Sequence, residues 1–243
     1  MEGFLQGILC GADSRQEWLL SWWWSRYSAK NAYPVTFCDF GMSLKARQWC
    51  RDRGRLVDVA RDLGVCKERV DFKRQVEWEQ IYGKSVWEAR VAWFKKPHAL
   101  LKTPYARTLW LDLDTEIFAS LEPLFELSEG HDVCLLRERE TDHLPLFHPD
   151  VKYNSGVIVY DKRAPLIRRW AERASEAHGC FWGDDPLLSA LIHEEKMAVH
   201  EMPPVWNWRI KDGLPVQPQI IHWVGEAGKK YIRKWGGLGV QME

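Results

Sequence analysis

Thr108-Leu109-Trp110-Leu111-Asp112-Leu113-Asp114 is the stretch on which the reading of this chain turns. Thr108 to Leu111 is a short run of β-branched, aliphatic and aromatic residues, and such a run predicts a strand buried in a sheet. It ends on two carboxylates one residue apart. Burying both is costly unless they are paired or coordinated, and a turn at the strand end would let both reach one cation. Hard oxygen ligands suit Mg²⁺ or Mn²⁺, which bridge phosphate oxygens and neutralise charge on a departing diphosphate. An Asp-x-Asp pair also caps helices or faces solvent in other settings, so its meaning rests on what surrounds it.

Upstream, Phe4 to Gly11 is an apolar run followed by a helical pattern to about Ala29, and Tyr33 to Asp39 reads as a second strand. A polar helix around Ser43 to Asp52, a brief strand at Arg55 to Ala60 and a helix from about Ser85 to Leu101 follow. Downstream, strands are expected at His131 to Arg137, Tyr153 to Tyr160, Met197 to Met202 and Gln219 to Trp223, with helices at Pro165 to Ala177 and Asp185 to Glu194. Strands alternating with helices predict an α/β fold, a central mostly parallel sheet flanked by helices, with ligands at the carboxyl ends of its strands. Nothing resembling a linker divides residues 1–243, which read as one domain with a smaller half after about residue 140. Glu138 to Pro149, with two prolines, reads as a loop over the site.

The 34 basic and 34 acidic residues balance, so no overall field favours nucleic acid or an acidic membrane surface. Six cysteines form no C-x-x-C pair, and several sit in apolar runs, which suits a reducing, cytoplasmic setting. The start, Met1 to Gly7, lacks a basic segment followed by an apolar one, and no segment nears the length needed to span a bilayer. The cluster Trp18, Leu19, Leu20, Trp22, Trp23, Trp24 reads as a helix packed on a sheet, with peripheral membrane contact or a subunit interface as alternatives.

Two more clusters carry chemistry. His222 closes the apolar run Ile220-Ile221 and precedes Gly225, Gly228, Lys229 and Lys230, read here as a flexible loop rich in backbone donors and positive charge. A neutral imidazole there completes an Asp/Asp set, with lysines for a diphosphate; otherwise His222 is a core histidine.

On these residues the chain resembles GT-A-fold glycosyltransferases, and within them glycosyltransferase family 8. The likeness comprises Ile8 to Asp13, Leu109 to Asp114 with Leu121 to Phe125, Tyr153-Asn154-Ser155-Gly156-Val157, Gly183 to Leu188, Pro203 to Asn207 and His222-Trp223-Val224-Gly225. It implies the GT-A fold and metal-dependent transfer of a sugar, with retention, from a nucleotide-sugar, UDP-linked, to a hydroxyl on a glycan, lipid-linked or small-molecule acceptor. The donor would sit in residues up to about 140 and the acceptor beyond about 141. By the same resemblance Asp112, Asp114 and His222 hold Mn²⁺ or Mg²⁺. Ala12 and Asp13 contact the base, Lys95 or Lys96 the phosphate, and Asn154 and Asp184 the donor sugar. Gly225 and Lys229 belong to the diphosphate motif. A homo-oligomer is compatible with all of this.

The chain departs from that pattern twice. The motif lysine falls one position late, at Lys229, and Asp185 stands where an amide is usual after Asp184. A carboxylate at Asp185 can act as a nucleophile or steady an oxocarbenium-like state, or it can simply cap a helix. Two other readings compete: a haloacid dehalogenase-type phosphatase, disfavoured by Glu116 and by the mid-chain position of the aspartates, and a non-catalytic sugar-nucleotide-binding relative.

Overall fold

The structure, a computed structural model, describes residues 5–59, 66, 70–138, 153–210, 213 and 216–239. At its centre are β1 (Gln6–Ala12) and β4 (Arg107–Leu111), paired in parallel from Gln6 opposite Arg107. Their central residues, Ile8 to Cys10 and Leu109 to Leu111, are apolar and buried because both faces are covered. Side chains alternate between faces of a strand, and the core divides accordingly. Ile8, Cys10, Ala12, Leu109 and Leu111 enter one apolar cluster, while Leu9 and Trp110 enter another.

Further strands are β2 (Val35–Asp39), β3 (Arg55–Asp58), β6 (Val133–Arg137), β7 (Tyr153–Asp161) and β8 (His200–Glu201). The sheet order is β3-β2-β1-β4-β7-β6-β8. β7 alone runs against its neighbours, pairing antiparallel with both β4 and β6. The helix α1 (Leu19–Ser28) buries Leu19, Leu20, Trp23 and Tyr27 in the first cluster, with Trp18, Trp22 and Trp24 packed against it. α2 (Leu44–Arg51) begins at Ser43, whose hydroxyl accepts from the Ala46 amide as an N-cap. α3 (Phe72–Tyr82) and α4 (Val86–Leu100) precede β4. α6 (Pro165–Ala177) and α7 (Asp184–Glu194) line the second cluster with α4.

A second sheet positions the site. β5 (Thr115–Ile117) starts one residue after Asp114 and, across α5 (Glu122–Leu127) and most of the chain, pairs antiparallel with β10 (Ile220–His222). β9 (Trp208–Arg209) completes the order β5-β10-β9. His222 thereby stands opposite Thr115, and the Trp223 amide extends the ladder to the Asp114 carbonyl at 2.9 Å.

Two expectations change, and a third falls outside what the structure describes. Residues 225–230 are not a flexible loop: α8 (Gly225–Trp235) is a helix. Gly228 gives it contact rather than flexibility, since a Cβ there would lie 2.2 Å from the Trp223 carbonyl oxygen. The strand expected at Met197 to Met202 shortens to two residues. The loop expected over the site extends past Glu138 into residues 139–149, which lie outside the described residues.

Candidate active site

At the end of β4 the Asp112 amide pairs with the Gly156 carbonyl (2.8 Å), then the chain turns: the Thr115 amide and hydroxyl both donate to the Asp112 carbonyl. The turn brings the carboxylates of Asp112 and Asp114 together, and β10 brings His222 to them. One ligand atom from each of the three lies within 4.8 Å of the others. His222 Nε2 is 3.3 Å from Asp114 Oδ1 and 3.8 Å from Asp112 Oδ2.

The tautomer of His222 follows from its neighbours. Asp185 Oδ2 accepts from Asn154 Nδ2 (3.0 Å), which fixes the Asn154 amide, and its Oδ1 accepts from the Gly156 amide. That oxygen also accepts from Asn207 Nδ2 (2.9 Å), so Asn207 turns its own Oδ1 to His222 Nδ1 at 3.0 Å. With only amide oxygens around it, Nδ1 carries the proton, and the Nε2 lone pair points toward two acids. Lone pair against carboxylate is repulsive unless a positive charge lies between. Two carboxylates and an imidazole so arranged fit a divalent cation such as Mn²⁺ or Mg²⁺. Gly156 makes room for the ring, since a Cβ there would fall 2.0 Å from His222 Cε1.

Two lysines complete this cluster. Lys229, in the first turns of α8, donates to Asp114 Oδ2 at 2.6 Å. Burial opposes the charges of both partners, yet Lys229 holds the Asp114 carboxyl below the ordinary range, and Asp114 raises the Lys229 ammonium. Asp112 moves the other way: burial pushes it up against the pull of Lys96, a deficit of positive charge that a cation would relieve.

Lys96 is a buried hub. It contacts both Asp112 oxygens and Asp184 Oδ2 at 3.1 Å and donates to Ser155 Oγ at 2.9 Å. Burial works against its charge, but Asp112 and Asp184 raise it instead. Lys95 donates to the Phe40 carbonyl at 3.0 Å. Asp184 also accepts from Ser155 Oγ (3.0 Å), and Asp185 Oδ1 from the Ser155 amide (2.8 Å). Both acids open α7, where the helix dipole favours negative charge. Burial, and after it Asp184, push the Asp185 carboxyl up to about 7.

Asp112, Asp114, His222, Asn154, Asp184 and Asp185 line one open cleft, into which Lys96, Gly225 and Lys229 also open. An adjoining cavity of about 460 Å³ is bordered by Ala12 and Asp13 with Phe40 and Trp110. Asp13 Oδ1 accepts from the Arg15 and Gln16 amides, closing a tight turn after β1. Ser155 and Asn207 were not singled out as site residues. Both lay inside quoted motifs, but only the tertiary contacts give them their hydrogen-bonding parts.

No protein-family model and no curated protein sequence matches the chain. Solved structures do. The galactosyltransferase LgtC in complex with donor and acceptor sugar analogues superposes with a TM-score of 0.63 at 14% identity, covering 95% of each chain. Mouse xyloside xylosyltransferase 1 in its apo form gives 0.56 at 15% identity, over 90% of this chain and 97% of that one. The glycosyltransferase GlyE of Streptococcus pneumoniae TIGR4, also apo, gives 0.59 at 12% identity, over 93% of this chain and 55% of that one. The superpositions extend over 90–95% of this chain, which has the GT-A fold of these glycosyltransferases.

Proposed function

We propose that the chain is a metal-dependent glycosyltransferase that moves a sugar from a UDP-linked donor to a hydroxyl acceptor, with retention. The observation that carries this reading is His222 Nε2, oriented through Asn207 and aimed between Asp112 and Asp114 in a cleft that also holds two lysines. Asp112, Asp114 and His222 would hold Mn²⁺ or Mg²⁺, which supplies Lewis-acid neutralisation of the departing diphosphate. Lys229 stands beside Asp114, placed to turn onto a diphosphate oxygen and add a second positive charge as the leaving group forms. Gly225, with φ of 77°, starts α8 so that its first turn faces the cleft. Ala12 and Asp13 border the cavity assigned to the base, and Asn154 and Asp184 are assigned to donor-sugar hydroxyls.

Asp184 and Asp185 are assigned to the reacting carbon. Both Asp185 oxygens already accept hydrogen bonds, which favours steadying positive charge over forming a bond. Lys96 keeps Asp112 and Asp184 apart in charge and joined in position; Lys95 supports Phe40 beside the base cavity. The six free cysteines support a reducing compartment such as the cytosol, and among the described residues no helix is long and apolar enough to cross a membrane.

The test is a panel of nucleotide sugars with Mn²⁺ or Mg²⁺, scoring free nucleoside diphosphate. Release from one donor, abolished by chelator and reduced by about 10²-fold or more in Asp114→Asn, is expected. Neither binding nor cleavage of any donor would sink the reading.

A further inference from the structure

One wall of the cleft is unused by the proposed donor chemistry. Tyr82 at the end of α3, Trp93 in α4 and Trp182 just before α7 meet there from three separate elements. Their ring centroids lie 5.0 Å (Tyr82 to Trp93), 5.4 Å (Tyr82 to Trp182) and 6.1 Å (Trp93 to Trp182) apart, in tilted and edge-on geometry. All three are half-buried, so apolar ring surface faces the cleft rather than the core. The same cleft is lined by Asp184 and Asp185. The Tyr82 hydroxyl makes no hydrogen bond among the described residues, and the field of Asp185, Asp114 and Asp184 reaches it.

The charges in the cleft narrow the ligand. Among the described residues its arginine and lysines are already paired: Arg15 with Glu88 at 3.1 Å, Lys96 with Asp112 and Asp184, Lys229 with Asp114. An acidic sugar or a phosphate-linked alcohol entering beside Asp184 and Asp185 would meet carboxylates whose neighbouring cations, among the described residues, are already paired. A neutral molecule with one apolar face and several hydroxyls meets what is there: rings for its C–H face, carboxylate oxygens and a phenol for its O–H groups. A nucleotide-sugar's base and diphosphate have their own ends of the cleft, by Ala12 and Asp13 and by Asp114 and Lys229.

Resting on the glycosyltransferase reading, we infer that Tyr82, Trp93 and Trp182 form the acceptor subsite and that the acceptor is a neutral glycan, presenting a pyranoside ring to this wall. A peptide hydroxyl or a lipid alcohol is thereby excluded as the preferred acceptor. Trp182 supplies the stacking face nearest α7, and Tyr82 adds a hydrogen bond from its hydroxyl.

Saturation-transfer NMR on the full chain with Mn²⁺ and UDP tests this, using methyl glycosides of neutral hexoses and their disaccharides, a serine peptide and an alkyl alcohol as probes. Saturation is expected on ring C–H protons of at least one neutral glycoside, falling at least fivefold in Trp182→Leu and recovering in Trp182→Phe, a rescue that loss of fold would not give. UDP protons in the same sample report the donor site independently. Saturated UDP with no saturated glycoside, or a glycoside signal indifferent to Trp182→Leu, overturns the acceptor assignment and leaves the donor reading standing. Preference for the peptide or alkyl alcohol overturns it equally. Saturation of neither UDP nor any glycoside removes the donor reading and this inference together.

Discussion

A single missing side chain and a single amide orientation decide whether this cluster can hold a cation. Gly156 lies under the His222 ring, with 2.0 Å between an added Cβ and Cε1. Gly156→Ala forces either β7 or the imidazole to move. Overpacking of this kind costs about 1–3 kcal/mol, and since β7 is held by β4 and β6 the ring is expected to yield. The expected outcome is loss of Mn²⁺ affinity out of proportion to the loss of stability, read by titration calorimetry beside a thermal melt; unchanged affinity would show that His222 is no ligand. Asn207 is the second such residue. Its Oδ1 is the nearer of two acceptors on His222 Nδ1, at 3.0 Å against 3.2 Å for Asn154 Oδ1, and Asn207→Ala removes it while leaving all three candidate ligands in place. Outer partners of metal-bound histidines are worth about 10–100-fold in metal affinity. A weakening in that range is expected for Asn207→Ala, and an affinity within twofold of wild type would count against the tautomer assignment.

Among the elements, β5 and α8 are joined by one buried acid. Glu116, fully enclosed in β5, accepts from Trp223 Nε1 (3.0 Å) and from the amides of Leu238 and Gly239 (2.9 Å each), with Arg26 of α1 at 3.4 Å. Arg26 and Trp22 in turn donate to the Gly236 carbonyl that follows α8. Glu116→Ala strands these donors, and breaking a buried charged network by removing one partner costs about 3–5 kcal/mol. A fall in Tm on the order of 10 °C is expected for a chain of this length; a fall under about 2 °C would mean the C-terminal turn is held by packing alone. These same elements mark where sequence reading stops. β1, β4 and α6 were legible because long apolar runs and clear periodicity need no partner to be recognised. β5 and β9 are two or three residues long and exist only because β10 pairs with them. α3 carries a polar sequence, Phe72 to Tyr82, and lay unread between strands. α8 was read as a loop because Gly225 and Gly228 signal flexibility locally, whereas one sets a positive φ and the other admits the Trp223 carbonyl. In the cleft, Asp112, Asp114 and His222 were legible as residue types at strand ends. The wall of Tyr82, Trp93 and Trp182 was not, since Tyr82 and Trp93 had no motif to announce them.

At the scale of the whole molecule, the cleft gathers the carboxylates of Asp112, Asp114, Asp184 and Asp185 around Lys96, Lys229 and His222. Such a concentration makes stability depend on pH, and Asp185 gives the dependence a sign. In the unfolded chain its carboxyl titrates near an ordinary aspartate value of about 3.9, whereas burial and Asp184 push it up to about 7 in the fold. Between those values the native state holds a proton that the unfolded chain has released, so folding is progressively disfavoured as pH rises. The penalty starts near the unfolded value, grows through the acid range and levels off above about 7. Asp114 has the opposite sign: held below the ordinary range by Lys229 despite burial, it contributes stability above the ordinary carboxylate range, lost as pH falls toward its folded value. The window from about pH 5 to about pH 7 therefore isolates Asp185 from Asp114. In metal-free protein the Tm is expected to fall across that window more steeply in the wild type than in Asp185→Asn. The variant starts lower, because an amide at 185 sets a donor against either the Ser155 amide or Asn154 Nδ2. The slope, not the level, is diagnostic: parallel curves for the two proteins would place the proton taken up across this window on a group other than Asp185.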